Sequence, residues 1–344
     1  MTLFSWPRAA LTVLLAAVLA LVVLPGGRIA PGGSVPGSEA EVESPVTPRP
    51  ERLNVPSGFF TGSDATGVAR IAEVQRWLGG GSLTVGHTYL PGDRWSNIEG
   101  HPALFEPWAR WKEERPGRLF VLNVPLLDRS EAGLPDDEVR AGLRRGAAGA
   151  YDAHFRTLGE RLVANRLSDA VLVLGWEMNG TTYSHRCGPD PEAWKAYWKR
   201  VVGVLRGVPG QRFRFDFTAS RGRDAVEWPR CYPGDAYVDI IGLDAYDQPE
   251  GLGFEEQVTE EFGLAHHVRF AAAHGKPVSY PEWGLFRNGD NPAYVRGMLD
   301  WFARYRPVYQ TFTDYCPHGV WGCADNPESG EVVRGALGAV PGGR

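Results

Sequence analysis

Eight short apolar runs alternate with amphipathic stretches between about Gly58 and Arg344, and this alternation constrains the fold more than any other feature of the chain. The runs are Gly58 to Thr61, Leu83 to Gly86, Leu119 to Val124, Val171 to Trp176, Phe213 to Phe217, Val238 to Leu243, Pro277 to Tyr280 and Tyr309 to Thr313. Helical periodicity fills the gaps, over Ala69 to Leu78, Leu104 to Lys112, Asp136 to Arg166, Pro191 to Leu205, Phe254 to His274 and Ala293 to Tyr305. Strands that alternate strictly with helices pair in parallel, and runs apolar on both faces must be covered on both. Eight of them in about 285 residues predict an α/β protein built as a single (β/α)8 TIM barrel. No G-x-G-x-x-G or P-loop follows any strand, so the usual nucleotide-binding reason for an open sheet is missing.

Composition narrows the function classes. Hydrophobic residues make up 43% and charged ones 22%, which excludes a disordered chain. A net charge of -5 offers no clustered Lys and Arg to replace counterions, so no nucleic-acid partner is expected. Twelve Trp and twelve Tyr against three Met give the chain many flat rings of the kind that stack on sugar C–H faces.

Arg8 followed by the apolar run Ala9 to Leu24 reads as a signal peptide or membrane anchor over residues 1–24. Sixteen residues at 1.5 Å each reach roughly 24 Å, short of a full bilayer core, which favours an export signal over a permanent span. Anchoring to a membrane by residues 9–24 stays open beside it. Residues 25–56 are rich in Pro and Gly and read as a disordered linker, leaving 57–344 as the barrel domain. A secreted or cell-surface protein is implied, and the four cysteines are therefore expected in disulfides. Cys187 and Cys231 follow strands four and five, which are neighbours around a barrel, so they should pair, and Cys316 should pair with Cys323. No zinc spacing, H-x-H or H-E-x-x-H occurs, and neither metal nor cofactor is expected.

Barrel chemistry sits at strand C-terminal ends. Glu177, in GWEMNG, follows the fourth run directly, and Glu282, in SYPEWG, stands in the same relation to the seventh. Two carboxyls facing across one barrel mouth are what glycosidic hydrolysis needs, one to protonate the leaving oxygen and one to attack or to activate water.

The motifs Gly175 to Gly180 (GWEMNG) and Pro281 to Gly284 (PEWG) resemble glycoside hydrolase family 26, the β-mannanase family, whose clan carries its catalytic Glu residues on strands four and seven. The resemblance implies Glu177 as acid/base, Glu282 as nucleophile and retention of configuration. It also implies that Tyr246, in GLDAYD, hydrogen-bonds the nucleophile. Trp176 stands where the family's mannanases usually have His, and TTYSH replaces a Trp-rich stretch, so the sugar recognised is left open.

Further substrate contacts are read from strand ends. Asn179 belongs to the acid/base motif, and Tyr183 stands where a ring platform is otherwise missing. His87, Asn123 and Asp244 could bond hydroxyls, while Trp283 and Tyr315 offer flat rings. Trp194 and Trp198, four apart on a helix, are read as core. The chain is thus expected to be a monomeric retaining glycoside hydrolase, endo-acting on a β-linked polysaccharide or oligosaccharide, mannan-type first and glucan or xylan next. A non-catalytic carbohydrate-binding protein on the same barrel is the alternative.

Overall fold

The computed structural model describes residues 53–339; residues 1–24 and nearly all of the 25–56 linker lie outside the described residues. Eight parallel strands close into one barrel in sequence order: β1 (Ser57–Phe60), β2 (Val85–Tyr89), β3 (Leu119–Val124), β4 (Val171–Leu174), β5 (Arg214–Ser220), β6 (Ile240–Tyr246), β7 (Val278–Gly284) and β8 (Gln310–Thr313). The described chain enters at the strand N-terminal ends, where Ser57 begins β1 beside Gln310. Among the described residues no helix is long and apolar enough to cross a membrane.

The helices form the outer ring: α1 (Ala65–Trp77), α2 (Trp95–Ile98), α3 (Pro102–Glu113), α4 (Asp136–Ala147), α5 (Asp152–Ala164), α6 (Pro191–Arg206), α7 (Phe254–Thr259), α8 (Leu264–Ala273), α9 (Pro292–Tyr305) and α10 (Pro327–Leu337). Two stretches read as single helices are each broken. Gly149, at φ +95°, separates α4 from α5, and Phe262, at φ +61°, lies in the turn before α8. A left-handed residue cannot continue a right-handed helix. Helix α6 begins as its sequence suggests, with Pro191 in the first turn and the Asp190 carboxylate accepting from the Ala193 N–H.

Strand alternation divides the side chains into two layers. Outward residues such as Phe59, Leu172, Phe217, Ile241 and Phe312 pack against helix residues such as Trp108, Trp194, Trp198 and Phe302, all buried. Trp194 and Trp198 are core, their indole N–H groups donating to His185 O and Leu174 O. Inward residues form a smaller apolar plug of Val85, Val121, Val171, Val173, Ile240 and Tyr309. Above it lies a polar layer in which the buried Asp216 carboxylate accepts from Thr218 Oγ1, Ser279 Oγ and the Tyr309 hydroxyl at 2.9, 2.6 and 2.7 Å. Gly242 leaves room for that cluster, since a Cβ there would stand 2.6 Å from Asp216 Oδ1.

One irregularity decides where the chemistry points. Strand β7 extends to Gly284 rather than stopping at Tyr280, but its register against β6 slips by one residue between the pairs Gly242↔Ser279 and Ala245↔Trp283. A matching slip against β8 falls between Tyr280 and Trp283. Pro281 sits inside this bulge, where a missing N–H is tolerated. With Ser279 facing inward, strict alternation would turn residue 282 outward. The extra residue brings Glu282 to the inner face and sends Trp283 to the helix layer.

Candidate active site

Glu177 and Glu282 stand at the barrel mouth, close enough that the Glu282 charge opposes ionisation of Glu177. Glu177 lies just past β4 in a backbone bend, with φ +57° at Gly175 and φ +51° at Glu177 itself. A left-handed non-glycine residue costs on the order of 1 kcal/mol and persists where its surroundings hold it. Here the Glu177 N–H donates to Thr218 O at 3.0 Å. The next turn is fixed by Asn179, whose amide pairs with both the N–H and the carbonyl of Ser220 at 2.9 and 3.0 Å. The Cys187–Cys231 disulfide, with Cα atoms 6.2 Å apart, then ties the β4 loop to the loop after β5.

The two carboxyls have unlike surroundings. Glu177 Oε1 accepts one side-chain hydrogen bond, from Ser220 Oγ at 2.8 Å. Burial, followed by the Glu282 charge, pushes its pKa up to about 8. Glu282 accepts from the Tyr246 hydroxyl on Oε2 at 2.7 Å and from Asn123 Nδ2 on Oε1 at 3.1 Å. The Tyr89 hydroxyl approaches as a third donor. Burial raises the Glu282 pKa as well, but all three donors favour its charged form. This is the pattern of a protonated acid beside an ionised carboxylate.

Around the pair the mouth is lined by rings. Trp176 packs edge-on against Tyr89 at 5.7 Å and lies 4.9 Å from Tyr183. Tyr183 in turn stacks on the buried His185 at 4.9 Å. Opposite, Tyr315 is 48% exposed, more than any other large hydrophobic side chain among the described residues, with its edge toward Phe60 and His318. Its loop is held by the Cys316–Cys323 disulfide and by Asp314, which accepts from the N–H groups of Val320, Trp321 and Gly322. Both expected disulfides therefore form.

Several residues read as sugar contacts are placed otherwise. Trp283 is fully buried among Phe302 and Phe312 and donates to Gln310 Oε1 at 2.5 Å, because the bulge turns it away from the mouth. The Asn179 amide is consumed by the Ser220 backbone. His87 and Asn123 have no exposed surface and face Glu282 rather than the cleft. Asp244 is 2% exposed, and neither carboxylate oxygen has a side-chain partner. The Glu282 backbone amide is the donor turned toward it, and burial followed by the Glu282 and Glu177 charges raises its pKa well above the usual range. Trp176, Tyr183, Tyr246 and Tyr315 remain at the mouth. Two donors carry no signal in the apolar runs: Tyr89 at the end of β2 and Ser220 at the end of β5. Each holds one of the carboxyls.

A closed barrel with paired strand-end carboxyls, one set to hold a proton and one to lose it, has the form of a glycoside hydrolase. Residues 172–283, the span from β4 to β7 that contains both, match the sequence profile of glycosyl hydrolase family 26. That match covers about a third of the chain, and over that span the chain is similar to the family's glycoside hydrolases. Solved structures share the barrel at low identity. A mannanase from Bacillus subtilis superposes with a TM-score of 0.62 at 14% identity, over 83% of this chain and 86% of that one. The YdhT protein of Bacillus subtilis gives 0.61 at 16%, over 83% and 87%. An endo-β-1,4-mannanase double mutant from Cellulomonas fimi gives 0.59 at 21%, over 77% and 65%. No curated protein sequence matches the chain.

Proposed function

We propose that the protein is a retaining, endo-acting glycoside hydrolase of β-linked polysaccharide, with Glu177 as acid/base and Glu282 as nucleophile. The observation that carries this reading is the asymmetry of the two carboxyls, one donor on Glu177 against three on Glu282. In the first step ionised Glu282 attacks the anomeric carbon as Glu177 gives its proton to the departing glycosidic oxygen. A glycosyl ester on Glu282 and a shortened chain result. In the second step Glu177, now a carboxylate, takes a proton from water as that water attacks the same carbon, which frees Glu282 and returns the original configuration.

Mannan stands first among substrates because the structural neighbours from Bacillus subtilis and Cellulomonas fimi bear the name mannanase. Glucan and xylan come next, since Trp176 replaces the family's usual His. The cleft-side rings, Tyr315 above all, supply stacking surface for a chain of sugars. The two disulfides fit an oxidising compartment and, with the leader reading, a secreted or surface-anchored enzyme.

The test is a polysaccharide panel followed by two variants on an activated aryl glycoside. Glu177→Ala should give a burst of glycosyl-enzyme and then slow turnover that azide accelerates with retention. Glu282→Ala should give neither. Identical behaviour of the two variants would refute the roles, and a wild type that binds a polysaccharide without cleaving any substrate would favour the binding-protein alternative.

A further inference from the structure

His87 and Asn123 lie on adjacent strands and reach Glu282 in sequence. Tyr89 and Asn123 are paired across the β2–β3 register, so their side chains project side by side beneath Glu282, with His87 one inward position below Tyr89. Asn123 Nδ2 is 3.1 Å from Glu282 Oε1, and Asn123 Oδ1 is 2.9 Å from His87 Nε2. The chemistry of these groups allows one arrangement of protons. An ionised carboxylate only accepts, so the amide must present its NH2 to Glu282 and its oxygen to His87. An amide oxygen also only accepts, so His87 must carry its proton on Nε2. His87 Nδ1 is then a bare acceptor, and it has no hydrogen-bond partner. The ring is fully buried, its centroid 4.8 Å from that of Tyr89 and 5.9 Å from that of Phe60.

We infer that His87 is a positioning residue: its Nε2–H holds Asn123 Oδ1 and so locks the amide NH2 onto the nucleophile, and neither side chain contacts the sugar. This rests on the reading of Glu282 as nucleophile. An asparagine amide is nearly symmetric in shape, so without a fixed donor at Oδ1 it can rotate and set oxygen against the carboxylate. Rotation would remove one charge-stabilising bond from Glu282 and aim a dipole of the wrong sign at it. Burial keeps His87 neutral, with its pKa lowered to about 4, and protonation at Nδ1 would leave the Nε2–H donor in place. The titratable groups facing Glu282 are Tyr89 on β2, Glu177 and Tyr183 after β4, Asp244 and Tyr246 on β6 and Tyr315 after β8.

The experiment compares His87→Phe, which keeps the ring and loses the donor, with His87→Gln, which restores an N–H. Asn123→Ala and the His87→Phe/Asn123→Ala double variant complete a cycle. Each is assayed on an activated aryl glycoside, and the Glu282 carboxyl is titrated by carbon NMR. Loss of one hydrogen bond to a charged group should lower kcat of His87→Phe about tenfold to a hundredfold, with KM within about twofold. The Glu282 titration should move upward by about a unit, and His87→Gln should recover most of both. In the Asn123→Ala background His87→Phe should add nothing, because its route to Glu282 is already cut. A raised KM with unchanged kcat, an unmoved carboxyl titration or additive losses would overturn the inference. If His87→Phe does not fold, His87→Leu, which also removes the donor, takes its place in the cycle and is judged by the same two readouts. Labelling by an activated 2-fluoro glycoside separates the underlying reading. An unlabelled Glu282 defeats the nucleophile assignment, whereas the titration still decides whether His87 acts through Asn123.

Discussion

Ser220 donates the one side-chain hydrogen bond that Glu177 receives, at 2.8 Å, and its removal gives a direct measure of how the acid is tuned. That bond stabilises the charged carboxylate, so Ser220→Ala must raise the Glu177 pKa above its value of about 8. A hydrogen bond to a charged group contributes about 1.5–3 kcal/mol net, and one pKa unit corresponds to about 1.4 kcal/mol. Both side chains keep some surface open to the mouth, where water can replace the lost hydroxyl, so the lower end applies and the rise is about one unit. The alkaline limb of kcat/KM reports ionisation of the acid in free enzyme and should move from near 8 to about 9. At pH 9 the wild type would retain roughly a tenth of its plateau and the variant about half. Normalised profiles on a soluble oligosaccharide make the comparison independent of any change in the plateau, and Ser220→Thr, which keeps a hydroxyl, should leave the limb in place. An alkaline limb that stays put or moves down in Ser220→Ala would refute the assignment of Glu177 as the proton donor.

Asp244 has its folded pKa raised well above its unfolded value near 4, so the folded state binds the extra proton and wild-type stability falls as pH rises above about 4. Asp244→Asn removes that loss: its melting temperature should match the wild type near pH 4 and exceed it increasingly toward pH 8, and a pH-independent difference would contradict this. Opening the Cys187–Cys231 bridge, which closes a separation of 44 residues, should cost about 4 kcal/mol in denaturant titrations. The Cys316–Cys323 bridge spans 7 residues and should cost about 2.5 kcal/mol. Tyr315→Ala should raise KM for polysaccharide about fivefold or more while leaving a short aryl glycoside nearly unaffected, and equal effects on both would exclude a distal stacking role.

The barrel was legible because its strands are short, apolar on both faces and separated by amphipathic helices, a pattern few other folds satisfy. Both carboxyls were legible for the same reason, each lying just past an apolar run. What failed did so at strand ends. The second apolar run ends at Gly86, three residues short of the strand, which makes His87 look like the strand-end residue and leaves Tyr89 beyond it. The fifth apolar run likewise ends at Phe217, three residues before the strand does at Ser220. Trp283 was misplaced for a different reason. Adjacent strand residues face opposite ways, so a Trp next to an inward Glu must face out, and that rule was available once Glu282 was chosen. The bulge that makes Glu282 inward has a sequence trace in Pro281, but a proline alone does not say in which direction a register slips.

The described chain begins β1 at Ser57, on the barrel end opposite Glu177 and Glu282. Strand rise puts the depth of the barrel, roughly 15 Å, between that point and the two carboxyls. An affinity handle or solid support attached on the N-terminal side of Ser57 would therefore leave the cleft pointing outward, free to meet an insoluble polymer. Attachment through the loops after β4 or β8 would occlude it. For an immobilised biocatalyst the orientation of the graft, rather than the length of spacer, would govern how much activity survives.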